Sequence, residues 1–202
     1  MNALNRKLIT GGLSKPSKMP GYAYNLPATE CKTGAKLVKR SGSVCHGCYA
    51  LKGRYRFPNV KEAMHRRLKS IDGPLWVETM AADINARKSK YFRWHDSGDI
   101  QSLAHLKKIF DVCKLTPDVA HWIPTRESGI LSKLGPEEVP ANLTIRLSAT
   151  MVDGNAPKNS WHLTSTVVTE GASCPAPKQG NECKSCRNCW DQSIKNIAYG
   201  KH

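Results

Sequence analysis

Apolar residues between positions 59 and 71 fall at Val60, Met64, Leu68 and Ile71, a three-to-four spacing that lines one face of a helix. The same spacing runs through Leu75, Val77, Met80 and Ile84 over residues 74–87, and through Leu103, Leu106, Ile109, Phe110 and Cys113 over residues 102–115. Between these helices the pattern changes. YFRWHDSGD, VAHWIPTRES, NLTIRLSAT and WHLTSTVVT are short runs rich in aromatic and β-branched residues that end in polar ones, and they read as strands. A short helix is predicted near 130–134. Residues 1–30, rich in Gly, Pro and Lys, read as an extended arm with a short strand around 22–25. Strands separated by helices pair in parallel through right-handed crossovers. The expected fold class is therefore α/β: a mostly parallel sheet or partial (β/α) barrel with a C-terminal cysteine-rich metal-binding segment. A single domain over 1–202 divides into an N-terminal arm (1–30), a first cysteine loop (31–58), an α/β core (59–170) and the cysteine segment (171–202).

Polar residues recur at the ends of the predicted strands. His95, Asp96, Ser97 and Asp99 follow one strand, and Thr125, Arg126, Glu127 and Ser128 follow the next. Ser148 and Thr150 end the third, and Thr166 and Thr169 the fourth. The carboxyl ends of parallel strands share one face, which is where such folds build sites. Asp96, Ser97, Asp99, Arg126 and Glu127 are the residues expected to contact a small-molecule ligand or substrate. Arg126 can fork onto a carboxylate or phosphate, while Asp96 or Glu127 can accept a proton or a ligand amine.

The cysteines add chemistry to this frame. No apolar run reaches membrane-spanning length and the amino terminus lacks the apolar core of a signal peptide, which points to a reducing cytoplasm and no membrane partner. In that compartment clustered cysteines read as metal ligands or redox groups rather than disulfides, and this chain has eight cysteines. Seven fall into two groups. NECKSCRNCW places Cys183, Cys186 and Cys189 two residues apart, with Cys174 shortly before. That spacing suits an iron–sulfur cluster, with zinc as the alternative at these four positions. Cys31, Cys45 and Cys48 offer three thiolates with no obvious fourth, so a cubane held there would leave one iron open. One or two 4Fe–4S clusters are thus expected. His46 lies inside a C-x2-C loop and is expected to point away; Cys113 sits on the apolar face of a predicted helix, as a core residue.

The chain carries 31 Lys and Arg against 16 Asp and Glu, a net charge of +15. Such a balance makes nucleic acid a candidate partner, because releasing counterions from phosphates drives association. Much of the charge is spread along the chain, at Lys32, Lys36, Lys39, Arg40, Lys52, Arg54, Arg56, Arg66 and Arg67, and a solvated surface or the offsetting of anionic metal–thiolate sites explains it equally. The sequence assigns no oligomeric state.

The order CxxCYA, RWHDSGDI and CPAPKQGNECKSCRNCW, together with GGLSKPSKMPGYAYNLPA upstream, resembles the bacteriophage gene product 88 domain family over most of the chain. The resemblance implies a phage-encoded iron–sulfur protein working in the host cytoplasm, and it supplies no reaction. A more distant similarity is to radical S-adenosylmethionine enzymes, in which the open iron of a three-cysteine cluster binds that cofactor. There the SGD turn would stand where a glycine-rich acidic turn holds the methionine amine, and the C-terminal cysteines would resemble auxiliary clusters. The spacing departs from that family: C-x13-C-x2-C stands here in place of C-x3-C-x2-C. A nucleic-acid-binding phage protein with a structural iron–sulfur or zinc site is the other expectation.

Overall fold

The computed structural model describes residues 1–158 and 161–201. Its centre is a six-stranded sheet formed by β1 (Tyr22–Tyr24), β2 (Tyr91–Trp94), β3 (Ala120–Thr125), β4 (Leu143–Val152), β5 (Leu163–Val168) and β6 (Asn196–Gly200), in that order across the sheet. All five pairings are parallel. The helices are α1 (Ala3–Thr10), α2 (Lys32–Leu37), α3 (Pro58–Ser70), α4 (Trp76–Ala86), α5 (Leu103–Lys114) and α6 (Ser128–Leu131). The periodic segments sit where the apolar spacing predicts them. Pro58 opens α3 at the position that needs no amide hydrogen, and the Ser102 hydroxyl caps α5 by accepting from the His105 amide at 3.0 Å.

Alternate strand residues divide between two layers. Phe92, Trp94, Ile123, Leu143, Ile145 and Leu147 pack with Trp76, Met80 and Ile84 of α4 and Leu106, Ile109 and Phe110 of α5, forming the main core. Tyr24 closes this core at the β1 edge: its hydroxyl donates to the Thr10 carbonyl at 2.6 Å and accepts from Trp76 Nε1 at 3.1 Å. Cys113 is fully buried in this layer, as its place in the helix pattern predicts. On the other face Tyr91, Ala120, Trp122, Ile197 and Tyr199 meet Cys189, Trp190 and Ile194 of the C-terminal segment. Between Trp122 and Trp190 the ring centroids are 5.2 Å apart.

One expectation is corrected. The arm expected over 1–30 as extended begins with helix α1, capped by the Asn2 side chain at 2.9 Å and held by Arg6 Nε against the buried Asp83 carboxylate at 3.1 Å. The cysteine segment 171–202 also contributes β6, which completes the sheet beside β5.

Candidate functional site

The carboxyl ends of β1 and β2 are tied together first. Residues 95–99 make a tight turn in which His95 (φ 59°) and Gly98 (φ 80°) adopt left-handed backbone conformations. A Cβ on Gly98 would lie 2.6 Å from Leu26 Cβ, so the close approach of the two chain segments requires glycine. Ser97 holds that approach: its carbonyl accepts from the Leu26 amide at 2.9 Å and its hydroxyl donates to the Leu26 carbonyl at 2.8 Å. Its hydroxyl is thus engaged by the backbone.

Asp99 ties β2 to β3. One carboxylate oxygen accepts from Thr125 Oγ1 at 2.6 Å and from the Ile100 amide at 2.8 Å; the other accepts from the Arg126 amide at 2.9 Å. Burial raises its pKa to about 6, against the lowering effect of the Thr125 and amide hydrogen bonds. Arg126 then turns its Nε onto the Ala149 carbonyl of β4 at 3.2 Å. Glu127 reaches across to α2, where it accepts from the Thr33 amide at 2.9 Å and the Thr33 hydroxyl at 2.8 Å.

These contacts place the first cysteine group, because each cysteine has a neighbour bonded to a different strand end. Thr33, two residues past Cys31, is held by Glu127 after β3. Val44, beside Cys45, donates its amide to the Thr150 carbonyl of β4 at 2.9 Å. Tyr49, beside Cys48, donates its hydroxyl to the Asp96 carbonyl after β2. The three thiols are brought together with Asp99, Arg126 and Glu127. Burial, then Asp99, Cys48, Cys45 and Glu127, push the Cys31 thiol far above its ordinary pKa; burial raises Cys45 too, opposed chiefly by the Arg126 cation. Gly34 in α2 faces the space between two of them: a Cβ there would lie 2.8 Å from Cys31 Cβ, 3.7 Å from Cys31 Sγ and 3.8 Å from Cys45 Sγ. His46 is exposed, with Nδ1 3.1 Å from the Val38 carbonyl.

Asp96 stands beside this group, on the Tyr49 side. Its Oδ2 accepts from the Tyr55 hydroxyl at 3.3 Å, and its Oδ1 is buried with no hydrogen-bond partner among the described residues. Burial raises its pKa, and the Arg93 guanidinium opposes that shift. The polar ends of β4 and β5 behave differently. Ser148 and Ser165 bond each other at 2.9 Å, and Thr169 bonds Asp153 at 3.0 Å. Beyond backbone carbonyls, the recorded bonds of these strand ends do not lead to the first cysteine group.

The second group lies under the sheet. Cys174 and Cys183 are close enough to raise the pKa of Cys189, and Cys174 and Cys186 raise that of Cys183, each after the larger effect of burial. Cys189 Sγ is 3.2 Å from the Tyr199 hydroxyl. The segment is held by Arg146, fully buried on β4, whose guanidinium donates to the carbonyls of Cys189 (3.1 Å), Asn188 (3.0 Å), Asp191 (2.7 Å) and Ile194 (2.8 Å). Thr144 adds a bond to the Trp190 carbonyl at 2.8 Å. Among the described residues no group of three or more His, Cys, Asp or Glu side chains is drawn together as a ready holder of one metal ion.

A family model described as gene product 88 matches residues 2–192. The chain belongs to the gene product 88 family. The match takes in both cysteine groups and all the strand-end carboxylates described above, so the whole site lies within what defines the family. No curated protein and no solved structure matches the chain.

Thr33, Gly34, Tyr49 and Arg146 were not among the residues singled out in the sequence. The first three flank cysteines, which is a usable signal, because residues beside a ligand loop anchor it. Arg146 carries no such signal: within a strand pattern a lone arginine reads as solvent-facing.

Proposed function

We propose that this gene product 88 protein is an iron–sulfur protein whose reactive centre is a 4Fe–4S cluster on Cys31, Cys45 and Cys48, acting on a small ligand at the strand carboxyl ends. The observation that carries the reading is the closeness of two thiols at Gly34: a Cβ there would lie 2.8 Å from Cys31 Cβ and within 3.8 Å of both the Cys31 and Cys45 sulfurs. A cubane holds its corner irons, and so its thiolates, farther apart than one zinc ion holds four sulfurs. Bound, such a cluster supplies an electron and one iron without a protein ligand.

The surrounding residues have distinct parts in this reading. Arg126, fixed through its Nε to Ala149, directs the rest of its guanidinium toward a ligand carboxylate. Asp96 Oδ1, buried and without a hydrogen-bond partner among the described residues, is the acceptor for a ligand amine. Asp99 and Glu127 act as positioning residues, since their recorded bonds go to Thr125, Arg126 and Thr33. A carboxylate and an amine together describe a zwitterion, so S-adenosylmethionine is the first ligand to test. The C-terminal group Cys174, Cys183, Cys186 and Cys189 would hold a second cluster, or zinc, in a structural role. No helix among the described residues is long and apolar enough to cross a membrane, and the site of action proposed is the host cytoplasm.

Anaerobic purification with iron, acid-labile sulfide and zinc counted per chain tests the reading. Iron and sulfide lost on Cys45→Ala support it; a colourless protein with stoichiometric zinc sinks it. Titrating the reduced protein with S-adenosylmethionine under electron paramagnetic resonance then tests the ligand. A perturbed cluster spectrum supports radical chemistry, and an unchanged one leaves a redox role.

A further inference from the structure

The positive charge of this chain is concentrated. Residues 32–69 hold eleven Lys and Arg against one acidic residue, Glu62, so ten of the fifteen net positive charges belong to that segment. Lys32, Lys36, Lys39, Arg40, Lys52, Arg54, Arg56, Lys61 and Lys69 are all exposed. Among the described residues the ion pair recorded within the segment is Arg66 with Glu62, at 3.8 Å. The exposed cations of the segment have no ion-pair partner among the described residues.

The fold places the first part of this segment, residues 32–56, beside the first cysteine site. The segment is pinned over the strand ends by Thr33 on Glu127, Val44 on Thr150, and Tyr49 and Tyr55 on Asp96. Neutralising the thiols does not account for it. The cation lowering Cys45 is Arg126, and those lowering Cys183 are Arg93 and Arg187; none belongs to the exposed set. A general solubilising charge would not gather in one segment either, since the rest of the chain holds only the remaining five net charges.

The same segment exposes apolar and aromatic surface. Tyr49 is 47% exposed and Phe57 55%, and the rings of Tyr49 and Tyr55 lie 5.8 Å apart. Cations interleaved with exposed aromatic rings suit a single strand, whose unstacked bases can lie on the rings while its phosphates meet the cations. A duplex keeps its bases stacked and offers only its phosphates.

We propose that the basic and aromatic face of residues 32–69 binds single-stranded nucleic acid and presents a base to the Cys31–Cys45–Cys48 site. Presentation rests on the reading proposed above; binding stands without a cluster. The substrate class is then a nucleobase within a polynucleotide, with the small zwitterion as co-substrate.

The test is fluorescence anisotropy on the full chain, with iron counted in each preparation. The probes are a labelled single-stranded RNA, the same sequence as DNA, and its duplex, across a salt series. Binding to a single strand should be tighter than to the duplex. With about five phosphates neutralised, the log–log salt slope should lie near −3.5. Lys36→Glu/Lys39→Glu/Arg40→Glu should weaken binding by at least about tenfold, whereas Lys88→Glu/Lys90→Glu/Lys133→Glu, the same charge change elsewhere, should weaken it by only about twofold. Phe57→Ala should cost roughly fivefold or more on single strands and leave duplex binding unchanged. Absence of single-strand binding at low salt, equal losses in the two triple variants, or preference for the duplex would overturn the proposal. The two readings fail separately: iron without binding removes this one, and binding without iron removes the other.

Discussion

A methyl group at position 34 pits helix propensity against the site. Alanine is the better helix former by up to about 1 kcal/mol, yet its Cβ would sit 2.8 Å from Cys31 Cβ and intrude between two thiols. Gly34→Ala is therefore expected to keep its thermal stability within about 1 kcal/mol while losing iron and sulfide, and a variant with full metal content would show that the gap holds nothing. A second residue-scale test concerns pH. His121 is buried, with Nε2 2.8 Å from Thr116 Oγ1 and its ring stacked on Trp94, and burial pulls its pKa from 6.5 to about 3. Below its ordinary value the unfolded chain takes up a proton that the folded chain refuses until about pH 3, so stability falls with pH across that window by about 1.4 kcal/mol per unit. His121→Gln keeps a partner for Thr116 and removes this titration. The stability gap between the two proteins should narrow by about 2 kcal/mol between pH 6.5 and 5, measured by urea unfolding; comparing the pair cancels the opposite contribution of Asp99, whose pKa is raised. At this scale the sequence shows which residues are chemically apt but not where they point. Asp99 and Ser97 stood out equally in the same turn; the structure gives one the Thr125 hydroxyl and Arg126 amide at the end of β3 and the other the carbonyl of Leu26.

Elements were legible wherever period and length agreed. α3, α4 and α5 repeat an apolar stripe over three turns, and polar residues follow β2 to β5 directly. α1 escaped because its apolar residues are mostly exposed: Leu4 and Leu8 face solvent, and the helix is held by an ion pair instead. β6 escaped because NIAYG is short and becomes a strand only through its pairing with β5. The segment between β5 and β6 depends on a residue far from it in sequence. Arg146 spans four of its carbonyls, a geometry that a guanidinium fork meets and an ammonium does not. Arg146→Lys is expected to cost about 3 kcal/mol or more, since carbonyls on a buried face would lose their donors. Limited proteolysis should then cut within residues 171–195 before any other part of the chain. Cys113→Ala is the control: a buried truncation in the main core, costing about 1–3 kcal/mol, with metal content unchanged. Loss of iron in that variant would place a ligand in the wrong layer.

Across the whole molecule the two cysteine groups occupy different mechanical positions, and that difference predicts how each responds to losing its cysteines. The first group sits on a loop attached to finished strand ends by side-chain and backbone hydrogen bonds, outside the main core. The second belongs to the layer that covers the face of the sheet opposite the main core, where Trp190 packs on Trp122 and Tyr91, and its indole donates to the Phe92 carbonyl at 3.0 Å. If metal is bound at both, the first contributes to reactivity and the second to folding, because a closed metal site stabilises the segment that carries it. Cys31→Ala and Cys45→Ala should remove one centre's worth of iron with little change in melting temperature. Cys183→Ala and Cys186→Ala, both at partly exposed positions where truncation by itself removes little packing, should lower the melting temperature by several degrees. They should also shift tryptophan emission to the red as water reaches the Trp122–Trp190 pair. Equal thermal effects from both groups would mean that the first loop is also a fold-determining element. An unshifted emission spectrum in the second set would mean that Arg146 and the indole contacts hold the segment without metal.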